Sequence, residues 1–196
     1  MTHLILIRHG PTEWNTERRL QGRNDIPLSE KGRGEVAKWE LAPETKGAIW
    51  YSSPMIRATE TARILGASDP VLEPRLQEMS WGEWEGRFID EIRAETGGPD
   101  LNGGQGLDFC PPGGESRQQV VARLKPFLTK VGKSGKTSVA VTHKGIIEAA
   151  MVIATGWDMR GKRPAKVGLG ASHHFEVDND GNLAVIQLNV LGGATP

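Results

Sequence analysis

The apolar positions fall into two rhythms along the chain. Leu4-Ile5-Leu6-Ile7 is an uninterrupted apolar run closed by Arg8-His9-Gly10-Pro11. Such a run predicts a strand buried on both faces, as in a parallel sheet. Pro27-Leu28-Ser29-Glu30 opens a helical pattern, with Ser29 as N-cap and Val36, Ala37 and Trp39 among its apolar positions. Ala48 to Ser52 predicts a second strand. Pro54 then starts a helix carrying Met55, Ile56, Ala62 and Leu65, which Gly66 stops. Val71-Leu72 is a short strand candidate, and Gly86 to Glu95 a helix. Residues 97–114, rich in Gly and Pro, form a long loop of a length that is usually functional or mobile.

The second half repeats the alternation. Glu115 to Val131 predicts a helix, Thr137 to Thr142 a β-branched strand, and Gly145 to Thr155 an apolar helix. Ala171 to Val177 and Leu183 to Val190 alternate as strands around the turn residues Asp178-Asn179-Asp180-Gly181-Asn182. Strands alternating with helices imply a three-layer α/β/α sandwich on a mainly parallel, mixed sheet, with the last hairpin as an antiparallel edge. No repeat or linker divides the chain, so a single domain over residues 1–196 is expected.

Composition narrows the function classes. The 196 residues suffice for a sizeable core. Lys+Arg and Asp+Glu both number 24, a balance that argues against a dedicated nucleic-acid binder and against a polybasic membrane-surface protein. The mean hydropathy of −0.40 is that of a globular chain. Leu4 to Ile7 is too short for the apolar core of a signal peptide. No apolar run approaches the roughly 18 residues of a membrane span, so the cytoplasm is the default compartment. Cys110 stands alone, without an internal disulfide or CxxC zinc spacing, and is expected to be a loop thiol of no chemical role. The oligomeric state is left open.

In sheets of this kind ligands bind beyond the carboxyl ends of the strands. Three strand ends carry chemistry there: Arg8-His9-Gly10; Ser52-Ser53-Pro54 with Arg57 a turn later; and Thr142-His143-Lys144-Gly145. Glu78 lies in an irregular segment able to join them. Arginine forks match phosphate oxygens and keep their charge. A histidine nitrogen attacks phosphorus, nearby guanidiniums favour its neutral form, and a protonated glutamic acid serves a leaving alcohol.

Six segments, in order, closely resemble the histidine phosphatase superfamily of the phosphoglycerate-mutase-like fold. They are Leu6-Ile7-Arg8-His9-Gly10-Pro11-Thr12-Glu13-Trp14-Asn15; Leu20-Gln21-Gly22 with Asp25 to Gly32; Ser52-Ser53-Pro54 to Ala62; Glu78 to Gly86; Pro112 to Ser116; and Val141 to Gly145. The resemblance implies that His9 is the phosphorylated nucleophile. It also implies that Arg8, Arg57 and His143 bind the phosphoryl group and that Glu78 donates the proton. Asn15 is implied at the phosphate, and Gln21 and Gly22 on the substrate side. No metal or cofactor is expected, and the partner is a small phosphate ester.

Two positions depart from the family's pattern. Pro11 stands where Glu or Gln is usual. Lys144 stands where a small residue is usual; it either adds positive charge at the phosphate, as a further substrate-binding residue, or points to solvent, the default for an added lysine.

Several side chains keep two readings at this stage. Trp14 or Trp81 is expected near the pocket and Trp84 in packing. Arg18, Arg19 and Arg23, like the basic stretch Arg160 to Lys166, either attract an anion or face solvent. His3, His173 and His174 are expected to be ordinary strand side chains, the last two on opposite faces. A phosphomonoesterase is favoured over a mutase by the 36 residues between Glu78 and Glu115 and by the short tail after Val190. A non-catalytic phosphate-ester binding module is the remaining alternative.

Overall fold

The computed structural model describes residues 1–96 and 106–191. The part of the predicted loop from 97 to 105 lies outside the described residues. Among the described residues, six strands and six α-helices follow one another in the order β1 (Thr2–Arg8), α1 (Glu13–Thr16), α2 (Glu30–Val36), β2 (Ile49–Ser52), α3 (Ile56–Ile64), β3 (Val71–Leu72), α4 (Ile89–Thr96), α5 (Arg117–Ser134), β4 (Ser138–Thr142), α6 (Lys144–Thr155), β5 (Ala171–Val177) and β6 (Leu183–Leu191). The strands form one mixed sheet, ordered β3-β2-β4-β1-β5-β6. β1, β2, β3 and β4 pair in parallel, whereas β5 and β6 add the expected antiparallel hairpin.

The apolar run of β1 is buried on both faces because each face meets helices. Leu4 and Leu6 join the larger core with residues of α5 and α6, including Leu124, Phe127, Ile146 and Ile147. Ile5 and Ile7 join the smaller one with Ala58 and Ala62 of α3. This alternation is the period-two consequence of the pleat and gives the three-layer sandwich. No helix among the described residues is long and apolar enough to cross a membrane.

Several element boundaries differ from the sequence-based expectation. α2 ends at Val36, and Trp39 lies beyond it, packed on the smaller core. Pro54 precedes α3 rather than opening it; the helix starts at Ile56, whose N–H donates to Asp25 Oδ1 at 2.7 Å. The helix expected from Gly86 begins only at Ile89, because residues 86–88 are claimed by a non-local pairing. Gly86 N–H donates to Leu20 O at 2.8 Å, and Arg19 and Phe88 form an antiparallel bridge. α5 begins at Arg117 after a capping box between Ser116 and Gln119.

His173 and His174 are both buried, on a stretch of β5 where the register with β6 shifts. His174 lies 3.2 Å from His3 and 2.9 Å from the Ser172 hydroxyl. Cys110 is an exposed free thiol.

Candidate active site

The parallel register brings three strand ends to one edge. Arg8 pairs with Thr142, and Ser52 with Val141. Beyond them, His9 N–H donates to Thr142 O and Ser53 N–H to Val141 O, both at 2.9 Å. His9 and His143 thus project side by side, their ring centroids 5.1 Å apart. Arg57, on the first turn of α3, is fully buried. Its Nη2 donates to Gly22 O at 2.7 Å and its Nη1 to Asn24 O at 2.8 Å. These bonds hold the Gln21–Asn24 segment against the site. Thr61 ties α3 to the loop after β1 by donating to Arg57 O and accepting from Gly10 N–H.

A cavity of about 220 Å³ opens at this edge, lined in part by Arg8, His9, Asn15, Gln21, Gly22, Arg57, Glu78 and Lys144. The structure therefore brings together eight of the nine residues singled out from the sequence. The ninth, His143, is fully buried beside the His9 ring, with its Nε2 2.8 Å from Ser53 Oγ. Its Nδ1 has no hydrogen-bond partner among the described residues.

The electrostatics follow from burial. His9 Nδ1 sits 2.7 Å from Gly10 O, a carbonyl that only accepts, so Nδ1 carries the proton and the lone pair of the neutral ring is on Nε2. Burial, and then the charges of Arg57 and Arg8, hold the His9 pKa well below its ordinary value. Burial and Arg57 do the same to His143. Glu78 is pushed the other way, its carboxyl pKa raised by burial. It receives hydrogen bonds from Met79 N–H at 2.9 Å and Gly145 N–H at 3.4 Å. A Cβ at 145 would collide with the Glu78 carboxylate, so any larger residue there must push that carboxyl group aside.

A second set of residues supports Glu78 from behind. Arg123 of α5 donates to the carbonyls of Arg75 (2.6 Å), Gln77 (2.8 Å) and Glu78 (3.2 Å) while its Nε lies 2.7 Å from Glu115 Oε1. Asn15 uses its side-chain oxygen to accept from Thr12 N–H and Oγ–H in a capping box, which leaves its amide N–H₂ as the polar group for the cavity. Gln21 Oε1 is buried without a hydrogen-bond partner among the described residues. Pro11, the departure after Gly10, accepts from Ser29 N–H through its carbonyl, and Gly32 packs against that same oxygen.

Lys144 does not take the solvent default. Its side chain is 31% exposed, lines the cavity and pairs with Glu148 at 3.7 Å. Burial lowers its pKa. Trp81 lines the cavity, and Trp84 stacks on it and packs on the larger core. Trp14 packs near Gly86 and Arg19 instead. Arg19 reaches the cavity. Arg18 pairs with Asp90, and Arg23 with Glu115. In the basic stretch, Arg160 pairs with Asp108 and Asp158, and Arg163 with Glu148 at 3.0 Å.

Sequence reasoning missed Arg93, Arg117 and Glu148, which also line the cavity. Arg117 had a usable signal: a cation in the first turn of a helix opposes the macrodipole and calls for another reason to be there. Among the described residues no group of three or more His, Cys, Asp and Glu side chains is arranged to hold a metal ion.

Comparison with known proteins places the chain in a family. The family model of the histidine phosphatase superfamily (branch 1) matches residues 4–189. The chain is 32% identical over 195 residues to a glucosyl-3-phosphoglycerate phosphatase of Mycolicibacterium vanbaalenii, covering 90% of this chain and 87% of that one. It is 34% identical over 152 residues to a probable phosphoglycerate mutase, GpmB, of an Enterobacter species, covering 73% and 70%. The structure of a mycobacterial glucosyl-3-phosphoglycerate phosphatase complexed with VO3 superposes with a TM-score of 0.83 at 25% identity, over 99% of this chain and 100% of that one. The chain belongs to the histidine phosphatase superfamily, branch 1.

Proposed function

We propose that the protein is a metal-independent phosphomonoesterase that hydrolyses a small phosphate ester through a phosphohistidine on His9, with Glu78 as proton donor. One observation carries this reading: a neutral His9 whose Nδ1–H is fixed on Gly10 O presents the Nε2 lone pair in a cavity that the buried Arg57 and the half-buried Arg8 also line. Nucleophile, charge and proton donor then divide among separate groups. His9 Nε2 attacks phosphorus, and the P–O bond to the leaving group breaks as Glu78 gives its proton to the departing oxygen. Arg8, Arg57 and His143 hold the equatorial oxygens, where arginine offers fixed donors without a metal. The amide of Asn15 contributes a further donor, while Gln21, Gly22 and Lys144 face the substrate. Water then attacks the phosphohistidine, loses a proton to the Glu78 carboxylate and releases phosphate, restoring His9.

Hydrolysis is preferred to mutase transfer because one phosphatase relative matches 90% of the chain, whereas relatives named as phosphoglycerate mutases match 65–78% of it. The cavity, about 220 Å³, suits a small leaving group. The test is phosphate release from p-nitrophenyl phosphate and a panel of alkyl phosphates, with chelator present. Wild type is expected to release phosphate and His9→Ala to lose at least 10³-fold, more than removal of one oxyanion donor. Undiminished hydrolysis by His9→Ala would falsify the covalent route. Interconversion of phosphoglycerates without net release would establish the mutase instead.

A further inference from the structure

The two histidines of the site are held neutral. Each ring therefore has one N–H and one lone pair, and the nitrogen that keeps the proton decides what the ring can do. For His9 an acceptor makes the choice: Gly10 O, 2.7 Å from Nδ1. His143 has no such acceptor. Its Nδ1 is without a hydrogen-bond partner among the described residues. Its Nε2 lies 2.8 Å from the Ser53 hydroxyl, a group that either donates or accepts.

The surroundings of Ser53 remove that freedom. Ser53 is fully buried in the turn between β2 and α3. Its Oγ accepts from Met55 N–H at 3.4 Å, and its other partner among the described residues is His143 Nε2. A buried hydroxyl proton needs an acceptor, and Nε2 is the one within reach. Nε2 therefore holds the lone pair, and the ring proton is on Nδ1. The neighbouring Ser52 does not share this task, because its hydroxyl donates to Ser53 O at 2.8 Å. The end of α6 gives an independent sign. His143 is the N-cap residue, where a side-chain acceptor ordinarily takes a first-turn N–H. The His143 ring makes no such bond, as befits an Nδ1 that carries a proton and has no lone pair to offer.

We infer that Ser53 is a positioning residue for the reaction: by donating to Nε2 it fixes His143 as the Nδ1–H tautomer, so that this ring meets a phosphoryl oxygen beside His9 as a donor and never as an acceptor. The inference rests on the phosphoryl group binding at His9, as proposed above. Both rings then keep their proton on Nδ1, by opposite means. A carbonyl on Nδ1 leaves His9 a nucleophilic Nε2, and a hydroxyl on Nε2 leaves His143 a donor. In the other tautomer His143 would turn a lone pair toward anionic oxygens, and burial leaves little water to soften that repulsion. Ser53 itself touches no substrate and acts through His143.

The tautomer is read directly from long-range ¹H–¹⁵N correlation spectra of ¹⁵N-histidine-labelled protein at neutral pH, because protonated and lone-pair ring nitrogens resonate far apart. The His143 signals are those lost in His143→Ala. Wild type is expected to show His143 protonated on Nδ1, and Ser53→Ala to show a mixture or the reverse. A double-mutant cycle of Ser53→Ala and His143→Ala then reads the consequence, on kcat/KM for p-nitrophenyl phosphate and on the calorimetric Kd of inorganic phosphate. With His143 present, Ser53→Ala is expected to lose about tenfold in each, the lower end for a hydrogen bond to a charged group. In the His143→Ala background the loss is expected to be under about twofold, since Ser53 acts through that ring. Wild-type His143 protonated on Nε2 overturns the inference, and this result needs no variant of Ser53 to fold. An equal loss from Ser53→Ala in both backgrounds overturns it as well, leaving Ser53 a support of the fold. Coupling in phosphate binding without release from any ester would overturn hydrolysis and keep the role of Ser53. Neither binding nor release would overturn both.

Discussion

Arg123→Met tests how the proton donor is held. Arg123 sits on α5 and makes contacts that converge on the segment preceding and including Glu78: carbonyls 75, 77 and 78, plus both oxygens of Glu115. The side chains of the Arg123–Glu115 pair are 18% and 13% exposed, so water replaces their bonds poorly. Removing one partner of a buried pair costs roughly 3–5 kcal/mol; the residual exposure places this site at the lower end, about 3 kcal/mol. For a chain of this size that is a fall in Tm of roughly 6–12 °C, at 2–4 °C per kcal/mol. The catalytic effect has its own signature. A nitrophenolate leaves without protonation, whereas an alkoxide needs the proton from Glu78. Loosening the 75–78 segment is therefore expected to lower kcat/KM, which reports the phosphorylation step alone, about tenfold for an alkyl phosphate and less than threefold for p-nitrophenyl phosphate, with Glu78→Gln losing about 10²-fold or more on the alkyl ester as the limit. The assay is kcat/KM on both esters below the variant's melting transition. An equal loss on both would refute the positioning role and leave Arg123 as a general support of the fold; an unchanged alkyl rate would refute it as well.

Two further predictions follow from buried groups. His173 is fully buried, and its pKa is pulled from 6.5 to about 4 by burial and by His174. The folded protein keeps it neutral while the unfolded chain protonates it below about pH 6.5, so its contribution is complete above that pH and is lost as pH falls toward 4. Between pH 7 and pH 5 the loss is about 2 kcal/mol, at 1.36 kcal/mol per pKa unit. Urea unfolding of His173→Leu is expected to be less pH-dependent by that amount, and identical pH slopes would contradict it. Gly145→Ala drives a methyl into the Glu78 carboxylate. It should reproduce the leaving-group pattern above, more than tenfold on alkyl phosphate and little on p-nitrophenyl phosphate, and an equal loss on both would count against it.

Much of the fold was legible because its signals are local. The unbroken run Leu4 to Ile7 required cover on both faces and received it. Ser29 and Ser116 cap the helices that follow them. The chemical residues were legible because three of them end parallel strands, and parallel strands share one edge. What failed was set by distant partners. Gly86 to Phe88 look helical in isolation, yet pair with residues 18–20 across the chain. Arg93 carried no signal, since nothing in its own sequence says which face of α4 meets a cavity. Lys144 fell to the same ambiguity: a lysine at a helix start points outward unless a partner such as Glu148, one turn on, draws it along the cavity wall.

The central claim is the covalent intermediate on His9. Its most direct measurement is rapid acid-free quenching of wild-type protein mixed with a ³²P-labelled phosphomonoester, followed by peptide mapping under alkaline conditions, where phosphohistidine survives. The account predicts label on the peptide carrying His9, chased by water as inorganic phosphate, and accumulating in Glu78→Gln when the leaving group is nitrophenolate, because that leaving step needs no acid while water attack loses its base. Label on another residue, or phosphate released at the wild-type rate with no labelled protein at any quench time, would contradict it.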